Sequence, residues 1–340
     1  MGCEVARVLL DRQGVEVAGA CDRRPGLAGA DLGRVIGLED ELGVPVESDL
    51  ETAVRTTRPD VTIQTTCSEL DAVWPDIALM LGNGVNVISI AEEMTYPWCR
   101  SEPIAREMHE LAVANGAVVL GTGVNPGFVF DLLILTLTGV CAEVESIEAS
   151  RTNDLSPYGA TVLSAQGVGS TPEAFVRGVR QGTIKGHVGF PQSMHLIAAT
   201  LGWRIDRIEQ KLDPIVSSVR RETLHTVVEP GQVAGCLHSA VAYRDGTPAI
   251  TLTHPQQVCP ALEGLQTTDR IDIRGTPPVH FEGQPEIAGG QATAALAVNM
   301  ISRVLGAAPG LHTMADLPVP AALHDDVRHH VRSIAERTGD

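Results

Sequence analysis

Aromatic rings are scarce in this sequence. Phe, Trp and Tyr make up 3% of its 340 residues against 44% hydrophobic residues overall, so the core is expected to be built from Val, Leu, Ile and Ala. Stacking platforms are excluded as its main theme. Positive charge is scarce as well: the formal net charge is −17, which repels phosphate backbones and anionic membrane surfaces. Neither nucleic acid nor a membrane is expected as a partner. There is no run of about 18 apolar residues, and no basic stretch followed by an apolar one at the start, which reads as a soluble, cytoplasmic protein. The seven cysteines stand singly, with no CxxC pair and no His-rich spacing beside them. They are expected to be reduced thiols rather than zinc ligands, so no metal is expected.

What is present is an alternation of short β-branched runs with helical segments over the first third of the chain, the pattern of parallel strands joined by crossover helices. Candidate strands fall at 15–21, 61–66, 85–90 and 117–121. A helix is expected over 102–115, with Ser101 as its cap, Pro103 in its first turn, Gly116 as its stop, and Ile104, Met108, Leu111 and Ala112 on one face. From about residue 142 the texture changes to longer alternating runs separated by Gly and Pro turns, at 145–151, 223–229, 240–243 and 249–253. These predict an open, largely antiparallel sheet with helices on one side. A last helical run at 291–305 is expected to return to the first domain. The fold class is therefore α/β, a Rossmann-type parallel sheet followed by a second α+β open-sheet domain. The expected division is 1–125 for dinucleotide binding, 126–288 for substrate and oligomerisation, and 289–340 for a C-terminal helical segment.

A dinucleotide-binding fold opens with a hydrophobic strand and a Gly-x-Gly-x-x-Gly turn whose amides meet the pyrophosphate at a helix N-terminus. Here that first strand is missing, because the opening residues already read as the helix after the turn, with Gly2 as the last glycine of the fingerprint. The expected consequence is a sheet without its middle strand, and a truncated or misassigned start. Asp22, at the end of the next strand, is placed to accept the adenosine ribose hydroxyls. Arg23 and Arg24 beside it suit a 2′-phosphate instead, so NAD and NADP both stay open as the cofactor. Thr66 ends the following strand and is a further cofactor candidate.

Two carboxylates, Glu92 and Glu93, follow directly on the 85–90 strand. In open α/β sheets the carboxyl ends of strands line the ligand crevice, and oxidising an amine needs a base to take a proton from the ammonium and later to activate water. Helix capping is the alternative role for such a pair. The run 121–128, GTGVNPGF, again follows a strand: Gly121 lets backbone approach a ligand, and Thr122 and Asn125 offer hydrogen bonds to it. In the second domain, Arg151 could hold a carboxylate bidentately or form a buried ion pair. Asn153 lies two residues on, and His187 sits in a Gly-rich turn as a candidate orienting group. The stretch around 254–257 reads as an ordered loop without a role.

Six stretches in the same order along the chain, NVISIAEEMTYPW (86–98), GTGVNPGF (121–128), SRTNDLSPYG (150–159), GHVGFPQS (186–193), LTHPQQ (252–257) and TMADLPVPAA (313–322), resemble the 2,4-diaminopentanoate dehydrogenases. That family is related to dihydrodipicolinate reductases and native amine dehydrogenases. The resemblance implies oxidative deamination at C4 of 2,4-diaminopentanoate to 2-amino-4-oxopentanoate and ammonia, within ornithine breakdown, with NAD or NADP as cofactor and a homodimer or higher homo-oligomer as the working form. It implies Glu93 as the first candidate base and Glu92 as the second. A dihydrodipicolinate reductase proper would carry a paired-histidine and lysine signature in its second domain, and a sugar oxidoreductase a Glu-Lys-Pro motif where this chain has Glu92-Glu93-Met94. Neither pattern is present. A non-catalytic amino-acid-binding protein is the remaining alternative.

Overall fold

The computed structural model describes residues 1–331, so the end of the expected C-terminal helical segment lies outside the described residues. The chain divides into two compact units, one formed by Met1–Phe128 together with the residues from Ala288 onward, the other by Val129–Ile287. Strands β1 (Ala20–Cys21), β2 (Val46–Glu47), β3 (Val61–Gln64), β4 (Asn86–Ser89) and β5 (Val118–Gly121) belong to the first unit. The second unit holds β6 (Glu143–Asp154), β7 (Arg207–Val216), β8 (Arg221–Glu222), β9 (Val227–Val228), β10 (Val233–Arg244), β11 (Thr247–Gln257), β12 (Thr268–Thr276) and β13 (Val279–Gly283). The last strand, β14 (Gly310–His312), is again part of the first unit.

In the first unit four strands run parallel in the order β14-β5-β4-β3. Val87, Ile88, Val119 and Leu120 are fully buried, as a parallel sheet covered on both faces requires. Part of the cover is the pair of helices Leu70–Gly82 and Glu102–Ala114, whose Val73, Ile77, Met80, Met108 and Ala112 share one core cluster with Val87 and Val119. The second of these helices starts where its sequence dictates: the Ser101 hydroxyl accepts from the Ile104 amide at 3.5 Å, and Pro103 occupies the first turn. Such a cap satisfies one of the amides that a helix start leaves without a partner.

The strand expected over 15–21 shortens to Ala20–Cys21, paired in parallel with Val46–Glu47. A strand extends only as far as a neighbour supplies its ladder. Among the described residues no ladder joins β1 to β3, and β1–β2 stands as a separate two-stranded sheet.

The second unit is an open six-stranded sheet in the order β13-β12-β6-β11-β10-β7, antiparallel throughout except between β6 and β11. Alternation sets its faces. Along β6 the residues Ile147, Ala149, Arg151 and Asn153 are buried while Glu148 between them is exposed. The stretch 254–257, expected as a loop, is instead the end of β11. Pro255 explains the misreading: it has no N–H to donate, and the ladder to β6 skips from Thr253↔Ser150 to Gln256↔Asn153 while the ladder to β10 runs on unbroken.

Candidate active site

Beyond β4 the chain turns at once into the 3₁₀ segment Glu92–Thr95. Gly121, at the end of the neighbouring β5, lets that segment lie close, because a Cβ there would stand 2.0 Å from the Met94 carbonyl oxygen. Gly121 is therefore required by the packing of the carboxylate turn, a physical reason separate from the expected contact with cofactor.

The two adjacent glutamates differ in their surroundings. Glu93 Oε2 accepts from the Leu70 amide at 2.7 Å, at the start of the helix Leu70–Gly82, and Oε1 lies 3.3 Å from Arg100 Nε. Arg100 also holds Asp71 at 2.8 Å. Glu93 thus closes the start of a helix that precedes it in the chain, rather than of the following one that the sequence had offered, and an ion-pair network. Glu92 is half-buried, forms no ion pair among the described residues, and takes a hydrogen bond from Ser68. Burial raises its carboxyl above the ordinary range, with Glu69 and Glu93 pushing the same way. A carboxylate without a cation and with a raised pKa is better suited to accept and return protons than one held in an ion pair. The geometry moves the first candidate base from Glu93 to Glu92.

The other strand ends carry the expected cofactor groups. Thr122 follows β5, its amide donating to the Ser89 carbonyl at 2.9 Å, and its hydroxyl is buried without a partner. Asn125 lies three residues on, half-buried. Thr66 is exposed beyond β3. Gly2 opens the helix Gly2–Leu10, and a Cβ on it would stand 3.1 Å from the Thr65 hydroxyl. Asp22, just beyond β1, is held by Arg24, whose Nη2 donates to it at 2.6 Å and Nε at 2.9 Å; that pairing holds its carboxyl below the usual range. Arg23 instead makes a two-pronged contact to Asp76 at 2.7 and 3.1 Å. An acid after β1, a close approach at a helix start and an orphaned buried hydroxyl after β5 are residues that fit a bound dinucleotide.

In the second unit the covered face of the sheet carries polar side chains in register. Asp269 on β12 is paired with Arg151 on β6, His238 on β10 with His254 on β11, and Gln256 with both Asn153 and Cys236. Arg151 is 1% exposed: Nη1 donates to Asp269 at 2.7 Å and Nη2 to the Ile287 carbonyl. The ion-pair alternative is therefore realised, yet a guanidinium has five N–H donors and only these two find partners among the described residues. Desolvation raises the Asp269 carboxyl in spite of the guanidinium beside it.

His187 arrives from the turn before the helix Phe190–Thr200. Gly186 there has φ 63°, and a Cβ on it would stand 2.7 Å from Leu212. The His187 amide donates to His238 Nδ1 at 3.1 Å, its ring meets those of Phe190 at 4.7 Å and His254 at 5.1 Å, and its Nε2 is buried without a partner. Burial, aided by the Arg151 charge, drives the pKa of His187 down to about 3 and that of His254 well below its ordinary value; burial alone takes His238 to about 4. All three rings are neutral in the working range. Asn153 is 6% exposed and its Oδ1 has no partner. Sequence reasoning missed Asp269, His238 and His254. Strand periodicity carried through Pro255 would have placed His254 on the face that holds Arg151. Among the described residues no cluster of three or more His, Cys, Asp or Glu is placed to hold a metal ion.

The chain was compared with known proteins. Residues 128–333 match the family model described as the 2,4-diaminopentanoate dehydrogenase C-terminal domain, and residues 1–89 that described as the dihydrodipicolinate reductase N-terminus. A 2,4-diaminopentanoate dehydrogenase of Acetoanaerobium sticklandii is 40% identical, over 96% of this chain and 93% of the relative. An amine dehydrogenase of Streptomyces virginiae is 27% identical, over 88% of each. The solved structure of an amine dehydrogenase from Mycobacterium smegmatis superposes with a TM-score of 0.84 at 27% identity, over 95% of this chain and 94% of that one.

Proposed function

The chain belongs to the 2,4-diaminopentanoate dehydrogenase family and is an oxidoreductase acting on amines, and from that premise we propose that it oxidises 2,4-diaminopentanoate at C4 to 2-amino-4-oxopentanoate and ammonia, within ornithine breakdown. The cofactor is NAD or NADP. The observation that carries the substrate assignment is Arg151, a buried guanidinium with three N–H donors left over, beside the unpartnered acceptor of Asn153. Buried polar groups without a protein partner are satisfied by ordered water or by a ligand. An amino acid head, carboxylate plus ammonium, supplies both missing partners, whereas a simple amine has no carboxylate for the guanidinium.

In this reading Glu92 takes a proton from the C4 ammonium so that the nitrogen lone pair can form the C=N bond. A nicotinamide held at the strand ends of the first unit would supply the acceptor for the hydride lost from C4. Once that first proton has passed to solvent, Glu92 takes a proton from the water that attacks the iminium carbon and returns it to the departing nitrogen, leaving a ketone and ammonium. Glu93 anchors the turn that presents Glu92. Gly2, Asp22, Arg23, Thr66, Thr122 and Asn125 hold the dinucleotide, Gly121 keeps the turn in place, and Arg151, Asn153 and His187 hold the amino acid head.

The same reading has the protein working in the cytoplasm as a homodimer or higher homo-oligomer. The seven cysteines are free. No helix among the described residues is long and apolar enough to cross a membrane. The outer face of the six-stranded sheet presents Val241, Ser239, Thr251, Thr253 and Ser150 at its centre, with Glu148 beside Thr251, a mostly uncharged surface suited to a second copy. The test is spectrophotometric reduction of NAD and of NADP with 2,4-diaminopentanoate, with ammonia release measured alongside. Cofactor reduction matched by equal ammonia is expected. A folded protein that reduces either cofactor with simple amines but not with the diamino acid would overturn the assignment.

A further inference from the structure

Resting on the proposal that Arg151 receives the substrate carboxylate, we infer that Asp269 sets the charge requirement of that pocket, so that it admits an α-amino carboxylate and rejects a bare carboxylate. Asp269 is 1% exposed and is shared between two partners: Oδ1 accepts from Arg151 Nη1 at 2.7 Å, and Oδ2 from the Ile287 amide at 2.7 Å. The Arg151–Asp269 pair is already neutral before any ligand arrives. The side chains around it add no positive charge, since His187, His238 and His254 are uncharged and Glu286 contributes a further negative one.

A bare carboxylate bound to the remaining guanidinium N–H groups would leave a net negative charge in a desolvated place, which is costly unless it is compensated. An α-ammonium on the adjacent carbon cancels the charge that the carboxylate adds. Its acceptor is present: Asn153 lies two residues along the same face of β6, about 7 Å from Arg151 along the strand, with Oδ1 unpartnered. Asp269 and Asn153 thus act together, one making the ammonium necessary and the other receiving it. Asp269 does not touch the substrate in this account; it acts through Arg151.

The experiment compares kcat/KM for 2,4-diaminopentanoate with that for 4-aminopentanoate, which has the same reacting carbon and carboxylate but lacks the 2-amino group. The ratio is expected to be at least about 100-fold in the unaltered enzyme, as for sites that reject an analogue lacking a hydrogen-bonding group. In Asp269→Asn it falls by about 10-fold or more, because 4-aminopentanoate improves while the diamino acid weakens. Asp269→Glu, which keeps the charge, holds the ratio closer to that of the unaltered enzyme. Asn153→Ala lowers the diamino acid at least about 10-fold more than 4-aminopentanoate, in the range of an unsatisfied ammonium, and it decides the question if Asp269→Asn does not fold. A purely structural role would lower both substrates together and leave the ratio where it was. Arg151→Met separates the two levels: it should weaken both substrates, and indifference of both would sink the carboxylate reading itself. Loss of both in Arg151→Met with an unchanged ratio in Asp269→Asn and Asn153→Ala would overturn only the charge requirement.

Discussion

The parallel sheet of the first unit and the mixed sheet of the second handle polar groups in opposite ways. In the first, the buried strand positions are mainly apolar, Gln64 and Ser89 being bonded to each other, and Asp22, Thr66, Glu92 and Thr122 lie just past the ends of β1, β3, β4 and β5. In the second, the polar residues stand within strands on the covered face, as Arg151, Asn153, His238 and His254 do. The difference follows from burial. A parallel sheet covered on both faces has no room for mid-strand charge, so its chemistry moves to the loops, where water and small helical turns satisfy it. A sheet with one covered face can carry a buried polar row, provided that its members pair or await a ligand. The first arrangement suits groups that must exchange protons; the second suits groups that must recognise a fixed pattern of charge.

The largest expected effect tests whether chemistry is confined to the strand-end side. Glu92→Gln should lower kcat by about 10³-fold, within the span of a positioned acid-base group, while leaving thermal stability close to that of the unaltered protein. Glu93→Gln should do the reverse, with a loss of about 1–2 kcal/mol of stability from the weakened contacts to Arg100 and the Leu70 amide and a rate loss under about 10-fold. The acid limb of the rate profile should lie above the ordinary carboxylate range, since burial raises the Glu92 pKa. Equal effects of the two substitutions on rate would break the assignment of separate roles.

A smaller effect should single out the mixed sheet. Burial lowers the pKa of His187 to about 3 and of His238 to about 4, and that of His254 further below its ordinary value. The unfolded chain therefore binds more protons than the folded one below the ordinary histidine pKa of about 6.5, and stability falls as pH drops from there, levelling off below the folded values. The loss is on the order of a few kcal/mol between about pH 6.5 and pH 4. Hydrogen exchange at pH 7 and pH 5 should show amides of β10 and β11 losing protection at the lower pH while those of β4 and β5 keep theirs. Uniform loss across both sheets would mean that the buried rings do not govern acid sensitivity.

The same contrast decides how much was legible in the sequence. Strand-end residues announce themselves, because an apolar run followed by Glu92-Glu93 or by Gly121-Thr122 is a local pattern, and the Ser101 cap with Pro103 marks a helix start without any tertiary information. The family resemblance was legible for the same reason. Mid-strand residues were harder. Arg151 and Asn153 were picked out as strand-end residues, because the run expected over 145–151 stopped short of the true end of β6 at Asp154, but His254 was lost because Pro255 reads as a break, and Asp269 was lost because nothing local to β12 marks its pairing with Arg151. The choice between Glu92 and Glu93 was out of reach of spacing, since it depends on Leu70 and Arg100, which only the fold brings to Glu93.

The smallest expected effect concerns the ion pairs around the end of β1. Asp22 could receive ribose hydroxyls, but Arg24 occupies both of its oxygens. Exposed ion pairs contribute little to stability, so Arg24 can leave Asp22 easily and turn to a 2′-phosphate when one is present. Replacing it removes that option and also frees Asp22. Arg24→Ala should therefore shift the ratio of kcat/KM for NAD over NADP towards NAD by several-fold and by no more than about 10-fold, and the shift should shrink as ionic strength rises. Arg23→Ala should shift it less, because Arg23 is already committed to Asp76 by a two-pronged contact. A shift towards NADP in Arg24→Ala would show that the arginine serves only to orient Asp22, and the strand-end rim would then be as fixed in its pairing as the buried row of the other sheet.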